Sequence, residues 1–557
     1  MKTSLISAVF FLAALSGIAA SGPEQNIYES SVCTTPESPI DKLVYRKLSK
    51  LGIHPAICSD AVFVRRAFLD VIGTLPTAKE AREFIQDQDQ NKRFALVNRL
   101  LEREEFADYW AMKWSDLLRV KAEFPINLWP NAAQAYYHWI RTSIRDNKPY
   151  DQFVREMLTA NGSNFRVGQV NFYRAMQDKT PEGIATTVAL TFMGSRAEFW
   201  PTNYLPGMAV FFAQISYKPT REWKEEIVFW DPNKEDMAQA AKNISQQTTN
   251  SATKQVTNAV AQMAVVKPVR SMPQVAIFPD GTKIKKLPPD RDPREVFADW
   301  LITPKNAWFT PNIVNRIWSW LLGRGIIHEP DDIRPDNPPS NPALLAYLQK
   351  EFIANHYDMK HIYRLILTSR TYQISSIIPK PDVPQGAANF AFYPLRRLDA
   401  EVLIDAINQI AGTSDLYTSA IPEPFTFIPD NKSAISLPDG SITSPFLDLF
   451  GHPARATGME NERVNYPSPT QRMHLLNSSH IQRKLEEGPK LKAIMSSKRK
   501  PQEIMEDIYL TVLSRFPTAD EVKNVEAYAK SGVVKGRNVW IDLVWALINS
   551  DEFLYRH

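Results

Sequence analysis

The sequence predicts a mainly α-helical protein built from two helical domains, with few short strands. Helix-start signals recur along the chain, and strand signals are sparse. At 557 residues the chain is too long for one small domain, because hydrophobic cores stop growing at roughly 250–300 residues. Its apolar content of 44% and charged content of 23% are typical of a folded globular protein.

The first residues have the three parts of a secretory signal peptide. Lys2 supplies a positive charge, Leu5–Leu15 an apolar run, and residues 17–21 the small side chains of a cleavage region. The alternative is a membrane anchor, but the run is shorter than the ~20 residues that span a bilayer. We therefore expect residues 1–21 to be removed. The mature protein is then exported, either periplasmic or secreted, with no transmembrane segment.

Helix signals justify the individual elements. Thr77 is the expected N-cap of one helix, and a glutamate three residues later completes a capping box. Asp292 is the expected N-cap of another helix, with Pro293 at its first position. A third helix is apolar nearly all around and ends at Gly323, which is typical of a buried helix.

The pattern changes in the middle of the chain. Residues 233–266 are polar and lack aromatic side chains, which indicates either a flexible connector or a loosely packed polar helix. The best strand signal, QVAIF at 274–278, precedes a turn sequence and predicts a hairpin. The predicted organisation is an N-terminal extension at 22–39, a first helical domain at 40–232, a low-complexity linker or insert at 233–285 and a second helical domain at 286–557.

Two stretches near opposite ends of the chain resemble each other. Residues 67–80 and 508–521 share six of fourteen aligned positions. Each is followed later by a similar segment, LLEREEF at 100–106 and LINSDEF at 547–553. The sequence indicates either a duplicated helical hairpin or a common local solution of helix, Pro-Thr turn and capped helix.

Six segments carry a resemblance to a known family. Residues 40–85 and 106–121 resemble the N-terminal conserved domain of the planctomycete-type cytochrome-c-associated exported proteins. Residues 292–352, 365–376, 393–401 and 450–485 resemble the C-terminal conserved domain of the same family. The resemblance spans nearly the whole mature chain, but both domains are of uncharacterised function, so it implies no reaction.

The chain lacks the cysteine motifs that this resemblance implies. Relatives carry a Cys-x-x-Cys-His segment before a tryptophan that precedes a glycine by seven residues; here Phe199 directly precedes Trp200. A second family motif has two cysteines where this chain has Met459 and Asn461. Covalent haem needs two thiols and a histidine. We therefore expect no cofactor and no metal.

The two cysteines and the nine histidines do not form another haem or metal site in the sequence pattern. Cys33 and Cys58 form one disulfide or remain two free thiols, since sequence cannot place their Cα atoms. His474 and His480 lie six residues apart, and at this spacing a single helix cannot direct both side chains toward the same ion. We expect each histidine to be structural.

Polar residues that recur among apolar ones form the candidate ligand-binding set. Buried arginines need carboxylate partners, because an unpaired interior charge is costly. We expect Arg316, Arg397 and Arg463 to pair with acids of this set, although arginine forks also bind carboxylate or sulfate groups. The candidate residues are Asn315, Arg316, Arg397, Asp399, Glu401, Glu462 and Arg463.

Other charged and aromatic side chains have local explanations. Arg66 and Asp70 are spaced for an ion pair on a helix surface. Trp110 and Trp114 lie one helical turn apart, a spacing that favours the core over sugar stacking. The aromatic run at 127–139 is open to both interpretations.

Three functions are compatible with the sequence. The first is a non-redox exported binding or assembly protein that has lost the haem-type motif, with an exported protein or a polysaccharide as partner. The second is an exported enzyme that degrades glycans or sulfated polysaccharides with the Arg/Asp/Glu/Asn set. The third is a cytochrome-associated redox protein. The net charge of +4 is small and argues against a nucleic-acid partner.

Overall fold

The computed structural model describes residues 26–30, 35–234, 275–379 and 385–557. The predicted signal peptide, Cys33 and most of the predicted linker lie outside these ranges. The described chain is mainly α-helical with a few short strands, as predicted. No helix of the described ranges is long and apolar enough to cross a membrane.

Helices of both halves pack around each other, and the strands form three small antiparallel sheets. The helices are α1 (Pro39–Lys50), α2 (Asp60–Val71), α3 (Ala78–Gln86), α4 (Lys92–Leu101), α5 (Glu104–Leu117), α6 (Pro130–Arg145), α7 (Tyr150–Leu158), α8 (Asn171–Arg174), α9 (Pro181–Met193), α10 (Tyr204–Ala209), α11 (Pro293–Leu301), α12 (Phe309–Leu322), α13 (Pro342–Ala354), α14 (Met359–Thr368), α15 (Ala400–Ala411), α16 (Pro445–Leu449), α17 (Pro469–Asn477), α18 (Ser479–Glu487), α19 (Pro489–Met495), α20 (Pro501–Val512), α21 (Ala519–Ser531), α22 (Arg537–Ile548) and α23 (Asp551–Leu554). The strands are β1 (Gly162–Ser163), β2 (Ile215–Pro219), β3 (Glu226–Trp230), β4 (Ala276–Ile277), β5 (Lys283–Ile284), β6 (Arg396–Arg397) and β7 (Tyr555–Arg556).

The predicted helix starts and stops are present because they depend on neighbouring residues. The Thr77 hydroxyl accepts from the Glu80 amide at 3.2 Å, and the Glu80 carboxylate accepts from the Thr77 amide at 2.9 Å. Asp292 caps α11 by accepting from the Arg294 amide. Gly323 ends α12 with φ of 73°, a left-handed conformation that favours glycine.

One continuous apolar core joins the two predicted domains. Trp110 and Trp114 of α5 are buried, as predicted, and their rings lie 5.2 and 5.9 Å from that of Trp320 on α12. The helix that carries Trp320 is buried along most of its surface. Close contacts between large aromatic rings therefore hold the first half of the chain against the second.

The two similar stretches fold alike. In each, a residue with positive φ stands two positions after a helix, Gly73 at 65° or Ser514 at 61°, and a capped helix follows. An arginine then binds both the capping glutamate and a later one. Arg103 binds Glu80 and Glu105 at 3.0 and 2.6 Å, and Arg515 binds Glu521 and Glu552 at 2.7 and 2.6 Å. The glutamates stand at aligned positions in the two copies, which supports the duplicated hairpin, whereas the two arginines come from different positions. The copies pack together through α3 and α20.

The small sheets bring distant segments together. β1, β3 and β2 form one sheet in that order, and β4 pairs with β5 as the predicted hairpin. Phe278, which follows β4, stacks on Phe211 and Trp300 at 4.7 and 4.9 Å. β6 pairs with β7, so residues 555–556 lie against residues 396–397 of the second domain.

Candidate functional site

The predicted polar set does not form one site. Asn315 exchanges hydrogen bonds with the backbone of Ile327, at 3.0 and 2.9 Å. Glu462 accepts from the backbone amides of Ala456 and Thr457. Both side chains hold nearby loops in place, because their hydrogen-bonding groups are engaged by the neighbouring backbone.

Arg316 has partners that the sequence did not indicate. It is almost fully buried and lies 2.7 Å from Asp331 and 3.6 Å from Glu460. The Glu460 amide in turn donates to Asp331 at 2.8 Å. The expected pairing with Asp399, Glu401 or Glu462 is therefore wrong, because a loop that follows α12 brings Asp331 back onto the helix.

Arg397 has no carboxylate within ion-pair distance in the described chain, so its expected ion pair is also wrong. Its guanidinium donates to the side-chain oxygen of Gln471 at 2.5 Å and to the backbone oxygens of Phe450 and Val464 at 2.5 and 3.1 Å. Burial lowers the pKa of Arg397. Three neutral oxygens therefore take the place of the expected carboxylate, and Arg397 fixes the loops around residues 450 and 464.

Arg463, Asp399 and Glu401 do come together, as predicted, at the junction of the two halves. Arg463 contacts Glu401 at 2.6 Å and Asp116, on α5, at 2.7 Å. Asp399 contacts Lys113 at 2.9 Å. We call the group formed by Lys113, Asp116, Asp399, Glu401, Arg463 and Arg556 the junction cluster.

The junction cluster is electrostatically satisfied. Burial alone would raise the pKa of Glu401, but Arg463 and His452 lower it to about 2. The pKa of Asp399 is likewise far below its ordinary value: Lys113 and Arg556 outweigh the effect of burial. Glu401 and Asp399 are 1% and 2% exposed, so the cluster offers no open face to a ligand.

Three members of the junction cluster, Lys113, Asp116 and Arg556, are absent from the predicted set because their partners are remote in sequence. Arg556 donates to Asp399 at 2.9 Å and lies 3.3 Å from Asp70, 486 residues away. Asp70 also accepts from two tyrosine hydroxyls. Arg66 instead donates to the backbone oxygens of Tyr372 and Ile374. The predicted Arg66–Asp70 pair is therefore wrong.

The two segments at which the resemblance implies cysteine motifs contact the same loop. The Ile333 amide donates to the Gly194 oxygen, and the Asp331 side chain accepts from the Glu460 amide. The cavity beside Glu460 and Arg463 has a volume of about 10 Å³, little more than one water needs. The residues present do not fit a covalently held haem, which needs thiols here and a far larger cavity.

Histidines His474 and His480 are closer together than their spacing predicted. Their ring centroids lie 5.9 Å apart, because α17 ends and α18 begins between them. His480 also lies 2.8 Å from Asp415. Across the described ranges no group of three or more His, Cys, Asp or Glu residues is arranged to hold a metal ion.

Cys58 is buried and free among the described residues, and its predicted partner Cys33 lies outside them.

A cleft with a volume of about 1070 Å³ lies elsewhere in the described chain, along α6. Its floor is one face of that helix, where Asn131, Gln134, His138 and Thr142 follow each other at helical spacing. Tyr136 is buried on the opposite face, whereas Tyr137, which is also buried, lines the groove. This helix begins within the run at 127–139, so the run supplies both core aromatics and a polar surface.

Two loops form the walls of this cleft, which we call the α6 groove. One wall contains Phe165, Arg166 and Gln169, and the other contains Phe427 and Lys432. Gly168 approaches α6 so closely that an added Cβ would lie 2.4 Å from the Ala135 oxygen. The first wall is therefore packed firmly on the helix that forms the floor.

Comparisons with known proteins identify two domains in the chain. The family model PSCyt2, a protein of unknown function (DUF1549), matches residues 39–198. The family model PSD1, a protein of unknown function (DUF1553), matches residues 293–529. No curated protein and no solved structure matches the chain.

Proposed function

We propose that this chain, which contains these two domains of unknown function in N-terminal and C-terminal order, is an exported non-redox binding protein. The domain order is consistent with the planctomycete cytochrome-c-associated family. The binding site that we propose is the α6 groove, and no step of the function involves haem.

The observation that carries this proposal is the contrast between two regions. The junction cluster is buried and each charge in it is paired, so it supports packing of the two halves. The α6 groove is open, and the exposed Asn131, Gln134 and His138 on its floor form no hydrogen bond within the described residues. Concave, partly polar clefts of this size are the usual binding sites of proteins.

The geometry gives less support to an enzyme that uses the predicted Arg/Asp/Glu/Asn set. Asn315 and Glu462 are engaged by backbone groups, and Arg316 and Arg463 by carboxylates. A substrate would have to displace these bonds, at a cost of several kcal/mol for each buried charge left unpaired.

Absorption spectroscopy tests the non-redox part of the proposal. Protein purified from its producing host is expected to show no Soret band, and its N-terminus is expected to be Gly22 after removal of residues 1–21. A Soret band with one iron per chain would refute the non-redox role. Recovery of the chain with Met1 in the cytoplasm would refute export.

Hydroxyl-radical footprinting tests the location of binding. The full chain is compared alone and after incubation with an extracellular extract of its host. We expect protection of side chains at 131–142 and 427–432 and no change at the exposed Tyr466, which does not line the groove. Protection elsewhere and none in the groove would refute the assignment.

A further inference from the structure

We infer that the α6 groove binds the chain of a neutral polysaccharide. This inference rests on the proposed binding function and specifies its ligand class. It follows from four properties of the groove: its length, its free hydrogen-bonding groups, its exposed aromatic rings and its balanced charge.

The groove is long enough for a polymer. Its lining runs from Asn131 to Asp146 along α6. At 1.5 Å per residue this part of the helix is about 22 Å long. The groove is open to solvent along this length, so an extended chain can enter sideways without threading.

The floor offers neutral hydrogen-bonding groups at regular intervals. The side chains of Asn131, Gln134 and His138 are exposed and form no hydrogen bond within the described residues. Amide groups donate and accept at once, and a sugar hydroxyl has the same dual character. A row of such groups on one helix face therefore matches the hydroxyl-bearing edge of successive sugar units.

Aromatic rings border the end of the groove where α6 begins. Phe427 lines the groove and is 70% exposed. Phe425 lies 5.2 Å from Trp129, the residue that precedes α6. The Lys224 ammonium lies 5.7 Å from the Trp129 ring and 5.3 Å from the ring of Trp223, which is 69% exposed. A sugar ring presents an apolar C–H face that packs on an aromatic ring, so these side chains complement the polar floor.

The charges of the groove point to a neutral ligand. Lys148 pairs with Glu156 at 2.5 Å, and Arg166 lies 3.8 Å from Glu222 and 3.6 Å from Glu225. Asp146 pairs with Arg145. Lys432 remains as the one lining cation without an ion pair among the described residues. A uronic or sulfated chain would need a row of free cations, which this lining does not supply.

A peptide strand fits less well. Extended peptides gain affinity by pairing with a free strand edge, and none of the lining residues belongs to a described strand. The groove instead presents side chains from one helix and two loops, which favours recognition of a ligand with many hydroxyl groups.

Affinity electrophoresis of the full chain tests this inference. Native gels contain hydroxyethyl cellulose, xylan or galactomannan as neutral polymers, and alginate or carrageenan as acidic ones. We expect retardation in at least one gel that contains a neutral polymer. We do not expect retardation that occurs only in the gels with an acidic polymer. Retardation only in acidic gels, or in none of the five, would refute a neutral polysaccharide ligand.

Variants place the binding in the groove. Phe427→Ala and the double variant Gln134→Ala/His138→Ala are each expected to weaken retardation about tenfold, as loss of one binding anchor does. Tyr466→Ala and Gln482→Ala are matched controls, an exposed aromatic and a glutamine on an exposed helix face. Equal retardation of the groove variants and the controls would refute the site.

The footprinting experiment separates this inference from the binding function. Groove protection that survives digestion of the extract with glycoside hydrolases but disappears after protease treatment would refute the polysaccharide and leave the binding function standing. Absence of groove protection under all conditions would refute both.

Discussion

Replacing Arg463 with methionine tests whether the junction cluster holds the two halves together. Arg463 is the shared partner of Glu401 and Asp116, and its side chain is 8% exposed. Methionine keeps most of the volume of the side chain but removes the charge. The variant leaves Glu401, itself 1% exposed, beside other carboxylates with His452 as its remaining basic neighbour.

Two independent arguments give the size of the effect. Breaking a buried ion pair by removing one partner costs about 3–5 kcal/mol. The pKa of Glu401 is held at about 2 instead of 4.5, which corresponds to about 3 kcal/mol of stabilisation. We therefore expect Arg463→Met to lower the free energy of unfolding by about 3–4 kcal/mol at pH 7.

The pH dependence has a definite sign. Because the pKa of Glu401 is lower in the folded state, its stabilisation is fully present above pH 4.5 and is lost as the pH falls toward 2. The difference between the wild type and the variant is therefore largest near neutral pH and shrinks under acid conditions.

Urea unfolding followed by tryptophan fluorescence and circular dichroism at pH 7 and pH 3 measures this difference. Arg145→Met is the control, since Arg145 and Asp146 form an exposed pair, and we expect no measurable change. A loss below about 1 kcal/mol for Arg463→Met, the range of surface pairs, would refute the reasoning.

Further predictions concern other buried charges. Burial raises the pKa of Asp405 to about 7 despite hydrogen bonds from the backbone amides of Ala434 and Ile435. The folded state therefore keeps a proton between pH 4 and 7 that the unfolded chain releases, so the stability contributed by Asp405 falls as the pH rises through this window, by up to about 4 kcal/mol. Thermal unfolding of wild type and Asp405→Asn at pH 5 and pH 8 checks this: the wild type should lose stability relative to the variant at pH 8, and parallel curves would contradict it. Arg556→Met should cost about 3–5 kcal/mol, because Asp70 and Asp399 lose a shared partner; an unchanged melting temperature would contradict a buried role. Combined with Arg463→Met it should be non-additive by about 0.5–3 kcal/mol, since both arginines face Asp399; strict additivity would show that the two sites are independent.

The sequence alone determined the fold class and the local signals. The caps at Thr77 and Asp292 depend on atoms a few residues away, so their residue types are sufficient to predict them. The burial of Trp110 and Trp114 followed from helical spacing in the same way. The resemblance to both conserved domains also rested on the order of residues along the chain.

Only the tertiary structure decided which charges pair and where the chain is open. Arg316 forms its ion pair with Asp331, and Arg397 donates to neutral oxygens. These partners depend on which loops fold back onto the helices. Arg556 meets Asp70 from the far end of the chain. The α6 groove likewise needs one helix and two loops from separate parts of the sequence. Local interactions determine where helices begin and end, whereas ion pairs and clefts depend on contacts between segments whose relative position is fixed only when the whole core packs.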